Sequence, residues 1–237
     1  MTPARCLLAV GFAVVALSPC AGQEGKSPLR YKELLYPIGT GYRWHYRVLD
    51  QTALKSQDEG KRDGAKKQDD TKKPSIVQVT VEREQVFNLK IKNDRDGGTM
   101  NVVGFELQVH NSADKKTLQE QVLIAEDGVY RISGAGKVIS PPLRILKKDA
   151  RKGDSWTVES QSENAEIRGV FVATEETVVV PAGKFPTVAI RTQDFKVGAQ
   201  DLTVTAWYAP DVGMVKQHVK IGSHDVILEL EKFEKGK

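Results

Sequence analysis

The stretch VFVATEETVVVPAGKFPTVAIRTQDFKVGAQDLTVTAWYAPDVGMVKQHVKIGSHDVILELEKF, Val170 to Phe233, decides the fold. It is dense in β-branched and aromatic residues, which suit a pleated, half-buried surface. Three signals break it: VPAGKF (Val180 to Phe185), WYAPDVGMV (Trp207 to Val215) and IGSHDV (Ile221 to Val226). Pro181 supplies the fixed φ wanted at the second position of a type I turn, and Gly183 can take the left-handed conformation that closes a bulged hairpin loop. Pro210 and Gly213 repeat this punctuation. The stretch therefore predicts a meander of about five antiparallel strands.

Strand phase assigns faces within it. Trp207 and Tyr208 are adjacent, so their rings point to opposite sides of the sheet. Tyr208 falls in with Leu202, Val204 and Ala206, and Trp207 with Thr203 and Thr205. A Trp on that second face predicts a cover, from the N-terminal segment around Tyr36 or from a ligand or partner.

The same alternation extends upstream. In YPIGTGYRWHYRV (Tyr36 to Val48), Tyr42, Trp44, Tyr46 and Val48 share one face, and Arg43, His45 and Arg47 the other. Val77, Val79 and Val81 alternate with polar residues; Phe87, Leu89 and Ile91 follow. A turn is expected at Asp96, Gly97 and Gly98, another at Glu126, Asp127 and Gly128, and a short strand over Val129 to Ser133. Leu143 to Ala150 reads as an extended approach to a turn at Lys152, Gly153 and Asp154. Regular turn spacing predicts an all-β domain, a curved antiparallel meander sheet or open half-barrel.

Residues 50–75 break the pattern with seven Lys or Arg, six Asp or Glu and no aromatic. Such a segment buries too little apolar surface to order itself, and reads as a disordered charged excursion. Residues 23–35 read as a polar spacer, and 36–237 as one β-rich domain. At the start, Arg5, the apolar run Leu7 to Leu17 and the small residues from Ser18 to Gly22 make residues 1–22 an export signal. The run is too short to span a bilayer. LSPC (Leu17 to Cys20) is similar to the bacterial lipoprotein signal, but Pro19 stands where Gly, Ala or Ser is usual. Ordinary cleavage near Ala21 or Gly22 is the preferred route, and lipidation of Cys20 the alternative.

Composition narrows the chemistry. The chain is 40% hydrophobic and 28% charged with a net charge of +4, and carries no concentrated basic face with interleaved aromatics, which argues against nucleic acid. Cys6 and Cys20 are its two cysteines, and both lie in the signal region, so no disulfide framework or thiol chemistry is expected. SGAGK (Ser133 to Lys137) lacks the spacing of a phosphate loop and reads as a turn. His218 and His224 flank a hairpin without a third ligand, and Asn93, Asp94 and Asp96 lack the later Glu of a calcium loop. No metal and no cofactor are expected. Trp44, Trp156, Trp207 and Tyr208 are the candidate ligand-binding residues, although the three Trp read first as core anchors.

Trp44, Gly128 to Tyr130, Gly153 to Trp156, VPAGKF and WYAPDVGMVK together form a pattern over Tyr36 to Phe233. It resembles the TapB-like family of exported bacterial proteins of unknown function, with Asp211 where that family has Gly. The resemblance implies an envelope protein with a curved antiparallel sheet akin to the lipoprotein-carrier half-barrels, and no established activity. The functional expectation is a non-catalytic domain for an apolar small molecule, a lipid or an envelope partner protein. A structural or assembly component is the alternative, followed by a hydrolase with dispersed carboxylates.

The export reading makes a direct prediction. Intact-mass measurement of protein isolated from the envelope of its producing cell is expected to place the first residue between Cys20 and Gln23, and a mass retaining residues 1–17 would contradict it.

Overall fold

A computed structural model describes residues 35–51, 75–90, 99–112, 116–125 and 127–236. The export signal, Cys20, most of the polar spacer and of the charged excursion, and the turn at Asp96 to Gly98 lie outside the described residues. So do Asn93, Asp94 and Glu126.

Among the described residues the chain forms twelve strands. They are β1 (Arg43–Asp50), β2 (Ser75–Lys90), β3 (Thr99–Asn111), β4 (Lys116–Ala125), β5 (Gly128–Gly134) and β6 (Lys137–Lys147). The second half adds β7 (Ser155–Ser162), β8 (Ala165–Val180), β9 (Gly183–Val197), β10 (Gln200–Ala209), β11 (Gly213–Ile221) and β12 (His224–Glu234). The expected C-terminal meander is β8 to β12. Leu143 to Lys147 is extended as expected, at the end of β6, but Lys148 and Asp149 already turn, with Asp149 at φ +54° and Ala150 N–H donating to the Lys147 carbonyl.

The sheet is a closed barrel, not the open half-barrel expected from sequence. Each strand pairs antiparallel with its neighbours in sequence, and β1 joins the two ends by pairing with β12 on one side and β2 on the other. Trp44 lies opposite Phe233 in one ladder and Val79 in the other. Closure satisfies the backbone groups that two sheet edges would leave unpaired, which is why it wins over an open sheet. The N-terminal boundary also moves, because Leu35, assigned to the spacer, is buried in the core with Tyr36.

Alternation along each strand sends one set of side chains inward. The inward set includes Trp44 and Tyr46 of β1, Val77, Val79 and Val81 of β2, and Leu107 and Val109 of β3, all buried. One end of the barrel is sealed by rings. Tyr36 packs edge-on against Trp44 at 6.1 Å between centroids and lies 5.7 Å from Tyr208, while Trp44 stacks on Phe233 at 5.2 Å. Two donors pin this floor to the WYAPDVGMV loop. Trp44 Nε1 donates to the Val212 carbonyl at 2.7 Å, and the Tyr46 hydroxyl to the Met214 carbonyl at 2.9 Å. Gly213, at φ +90°, lets the loop turn beneath Tyr36 and Trp44.

The β6–β7 ladder is the thinnest in the wall. Its partners are Ile139 with Ser162 and Ser140 with Gln161. Pro141 and Pro142 follow at once and have no N–H to donate, so the strands part there. Further along, Trp156 Nε1 donates to the Arg144 carbonyl at 3.0 Å and ties β7 to β6 by a side chain instead.

Trp207 and Tyr208 do point to opposite faces, yet both are buried. Trp207 is on the outer face and only 8% exposed. The cover is not the segment around Tyr36, which packs on Tyr208 at the other face. The path of the VPAG hairpin makes it the cover. Val178 and Val180 near its tip and Thr187 further back are buried in the outward phase, Ala182 N–H donates to the Leu230 carbonyl of β12 at 2.9 Å, and β8 touches β11 and β12. The tip thus crosses the outer side of β10 and β11. A smaller outer cluster does the same elsewhere: Val102, Leu123 and Ile132 are buried with Phe87 packed on them, and the Phe87 ring lies over Gly104.

Because the chain itself covers Trp207, Trp207→Ala is expected to destabilise the protein by about 3 kcal/mol or more in urea unfolding. A loss below about 1 kcal/mol would show that the hairpin does not pack there.

Candidate functional site

The barrel interior is not filled from end to end. Beyond the aromatic floor lies a cavity of about 530 Å³, within the size range of small-molecule sites. Its walls are apolar. Ile139, Leu143 and Ile145 come from β6, Ile167 and Phe171 from β8. Ile190 and Phe195 of β9 and Leu202, Val204 and Ala206 of β10 face them. Phe171 stands edge-on between Trp156 and Phe195, at 5.7 and 5.5 Å. The loops joining β5 to β6, β7 to β8 and β9 to β10 form the mouth. Lys137 and Glu163 pair across it at 2.7 Å, and both are exposed. SGAGK is the β5–β6 turn of this rim, as its sequence suggested, with Ala135 and Gly136 both at positive φ.

The inner end is polar. Arg131 of β5, Tyr208 of β10 and Gln217 of β11 line it. Behind Arg131 lies Glu120 of β4, fully buried, with Oε2 3.2 Å from the Arg131 guanidinium. Neither Glu120 oxygen, nor Gln217 Oε1, nor the Tyr36 hydroxyl has a hydrogen-bond partner among the described residues. Burial pushes the Glu120 carboxyl up to about 7, with the Arg131 charge opposing it. Burial also holds the hydroxyls of Tyr36, Tyr46 and Tyr208 well above the ordinary phenol range, so they stay neutral.

The structure separates the four candidate residues. Tyr208 lines the cavity at its polar end. Trp156 stands one ring behind the wall, against Phe171. Trp44 belongs to the floor and Trp207 to the outer face, where the Lys216 ammonium sits 5.8 Å from its ring. His218 does not meet His224. It pairs instead with Asp225, Nε2 to Oδ1 at 2.6 Å, because the register sets Ile221 opposite His224.

Glu120, Arg131 and Gln217 were missed from sequence, although a signal existed. Glu120 shares its phase with Leu118 and Val122, Arg131 with Val129, and Gln217 with Val215 and Val219. A polar or charged residue in the apolar phase of a strand is buried when the strand closes into a barrel.

No family model matches the chain, and no curated protein matches it. Two solved structures are similar. One is a candidate exported protein with a YmcC-like fold from Bacteroides fragilis, at 16% identity and TM-score 0.47, over 84% of this chain and 98% of that one. The other is a candidate lipoprotein from Parabacteroides distasonis, at 12% identity and TM-score 0.45, over 85% of this chain and 99% of that one.

Glu120 sets a pH signature. Its folded value of about 7 exceeds the ordinary 4.5, so between these the folded state holds a proton that the unfolded chain releases. The stabilisation is complete below pH 4.5 and is lost as pH rises through about 7. It amounts to on the order of 3 kcal/mol. Comparing urea unfolding of the wild type and Glu120→Gln from pH 4.5 to 8 is expected to show this fall in the wild type alone. Parallel profiles would contradict it.

Proposed function

We propose that this is an exported, non-catalytic envelope domain that holds an apolar or amphiphilic small molecule inside its barrel. The observation that carries the reading is the cavity itself: apolar walls, one open end and a short polar surface at the closed end. That is the build of a small-molecule site, in which burial supplies affinity and a few polar groups fix orientation. The export signal at residues 1–22 supports the envelope location. The lining supports a binding role over hydrolysis: among the described residues it carries one carboxylate, Glu163, held at the mouth by Lys137. The aromatic floor supports a container with one closed end, since Tyr36 and Trp44 are fully buried there.

The test uses N-phenyl-1-naphthylamine, a neutral apolar fluorophore, with the full mature chain. Saturable binding of about one fluorophore per chain is expected, in the micromolar range. Ala206→Phe places a ring in the cavity and is expected to weaken binding at least about tenfold while leaving the thermal unfolding transition cooperative. Absence of saturable binding, or binding indifferent to the added ring, would overturn the reading.

A further inference from the structure

We propose that the cavity selects amphiphiles with a carboxylate head, which sits against Arg131, Tyr208 and Gln217 while Glu120 takes up one proton from solvent. The proposal rests on reading the barrel as a small-molecule container, and adds the head group.

The inner end is where the argument lies. A guanidinium with a 5% exposed side chain stands at the base of an apolar cavity, 3.2 Å from the Glu120 carboxylate behind it. Burying such a pair costs more than its mutual attraction returns unless the remaining polar atoms are satisfied. Here they are not: beyond the 3.2 Å ion pair at Oε2, both Glu120 oxygens and Gln217 Oε1 are without hydrogen bonds among the described residues. A core ion pair built only for stability would have been completed by hydrogen bonds or replaced by apolar side chains.

A ligand carboxylate completes the set. Arg131 offers planar, paired donors suited to a carboxylate, and the Tyr208 hydroxyl and the Gln217 amide can turn a donor toward it. Two carboxylates and one guanidinium carry a net charge of minus one, which an apolar cavity opposes. One added proton, taken up by Glu120 behind the guanidinium, restores neutrality. The mass balance is simple: the anion enters, one proton follows it from water, and no covalent bond changes.

The titratable groups around the polar end are consistent with this. Arg131 on β5 is the charged one. Tyr36 of the floor segment, Tyr46 on β1 and Tyr208 on β10 stay neutral because burial holds their hydroxyls protonated. Leu107 on β3 lies opposite and is apolar. Lys137 and Glu163 are at the mouth and neutralise each other. Glu120 is therefore the acid left to answer an incoming anion near neutral pH.

The experiment measures displacement of N-phenyl-1-naphthylamine from the full mature chain by dodecanoate, dodecanol and methyl dodecanoate at pH 6 and 8. Dodecanoate is expected to bind at least about tenfold more tightly than the two neutral analogues, and more tightly at pH 6 than at pH 8. Calorimetry at pH 8 in buffers of different ionisation enthalpy is expected to report uptake of about one proton per dodecanoate bound. Arg131→Met should abolish the carboxylate preference, and Glu120→Gln should keep the preference but abolish proton uptake. Equal binding of the three compounds, or no proton uptake by the wild type, would overturn the proposal even if both variants fail to fold. If the fluorophore itself does not bind, the container reading falls, and this inference with it.

Discussion

The structure depends on one strand. β1 closes the barrel by pairing with β12 and β2 at once, and without it the sheet would end in two open edges with their backbone donors and acceptors in water. The same strand carries Trp44 and Tyr46, whose polar atoms reach Val212 and Met214 and fasten the floor to the β10–β11 loop. Closure of the wall and closure of one end are thus a single event. The contacts join residues on opposite ends of the chain, so the loop-closure entropy must be met before any of them forms.

Once one end is sealed by rings, the remaining interior has to be filled or left open. In the lower half it is filled, by Tyr36, Tyr208, Met214 and Leu230. Toward the other end the inward residues are branched aliphatics and Phe, too few to meet across twelve strands, and the cavity is what they leave. Its polar end sits where the filled and unfilled parts meet. Glu120 and Arg131 occupy inward positions that apolar residues would occupy more cheaply, and their cost is the strongest sign that the interior is shaped for something beyond packing.

Much of this was legible in the sequence. Turn residues with fixed conformational preferences placed the hairpins, as at Pro181 and Gly183, and alternation placed Trp44 and Tyr46 inside. Closure was not legible, because the pairing of β1 with β12 is a long-range choice that leaves no local pattern in either strand. The cover over Trp207 was expected, but its source was not, since a hairpin crossing two strands is a property of twist and bulging rather than of residue type. Strand phase also puts Tyr208 in one set with Leu202, Val204 and Ala206, all of which line the cavity. Its polar neighbours Arg131 and Gln217 escaped because a polar or charged residue in the apolar phase reads as noise until the strands around it are known to close.

The central claim is that the barrel interior is a container with an anchoring end. A crystal structure of the protein isolated from its own producing cell tests it most directly. Continuous elongated density running from the mouth between the β5–β6 and β7–β8 turns to Arg131 is the expected result. A cavity closed by inward movement of Ile139, Phe171 and Leu202, or occupied by isolated waters alone, would contradict it.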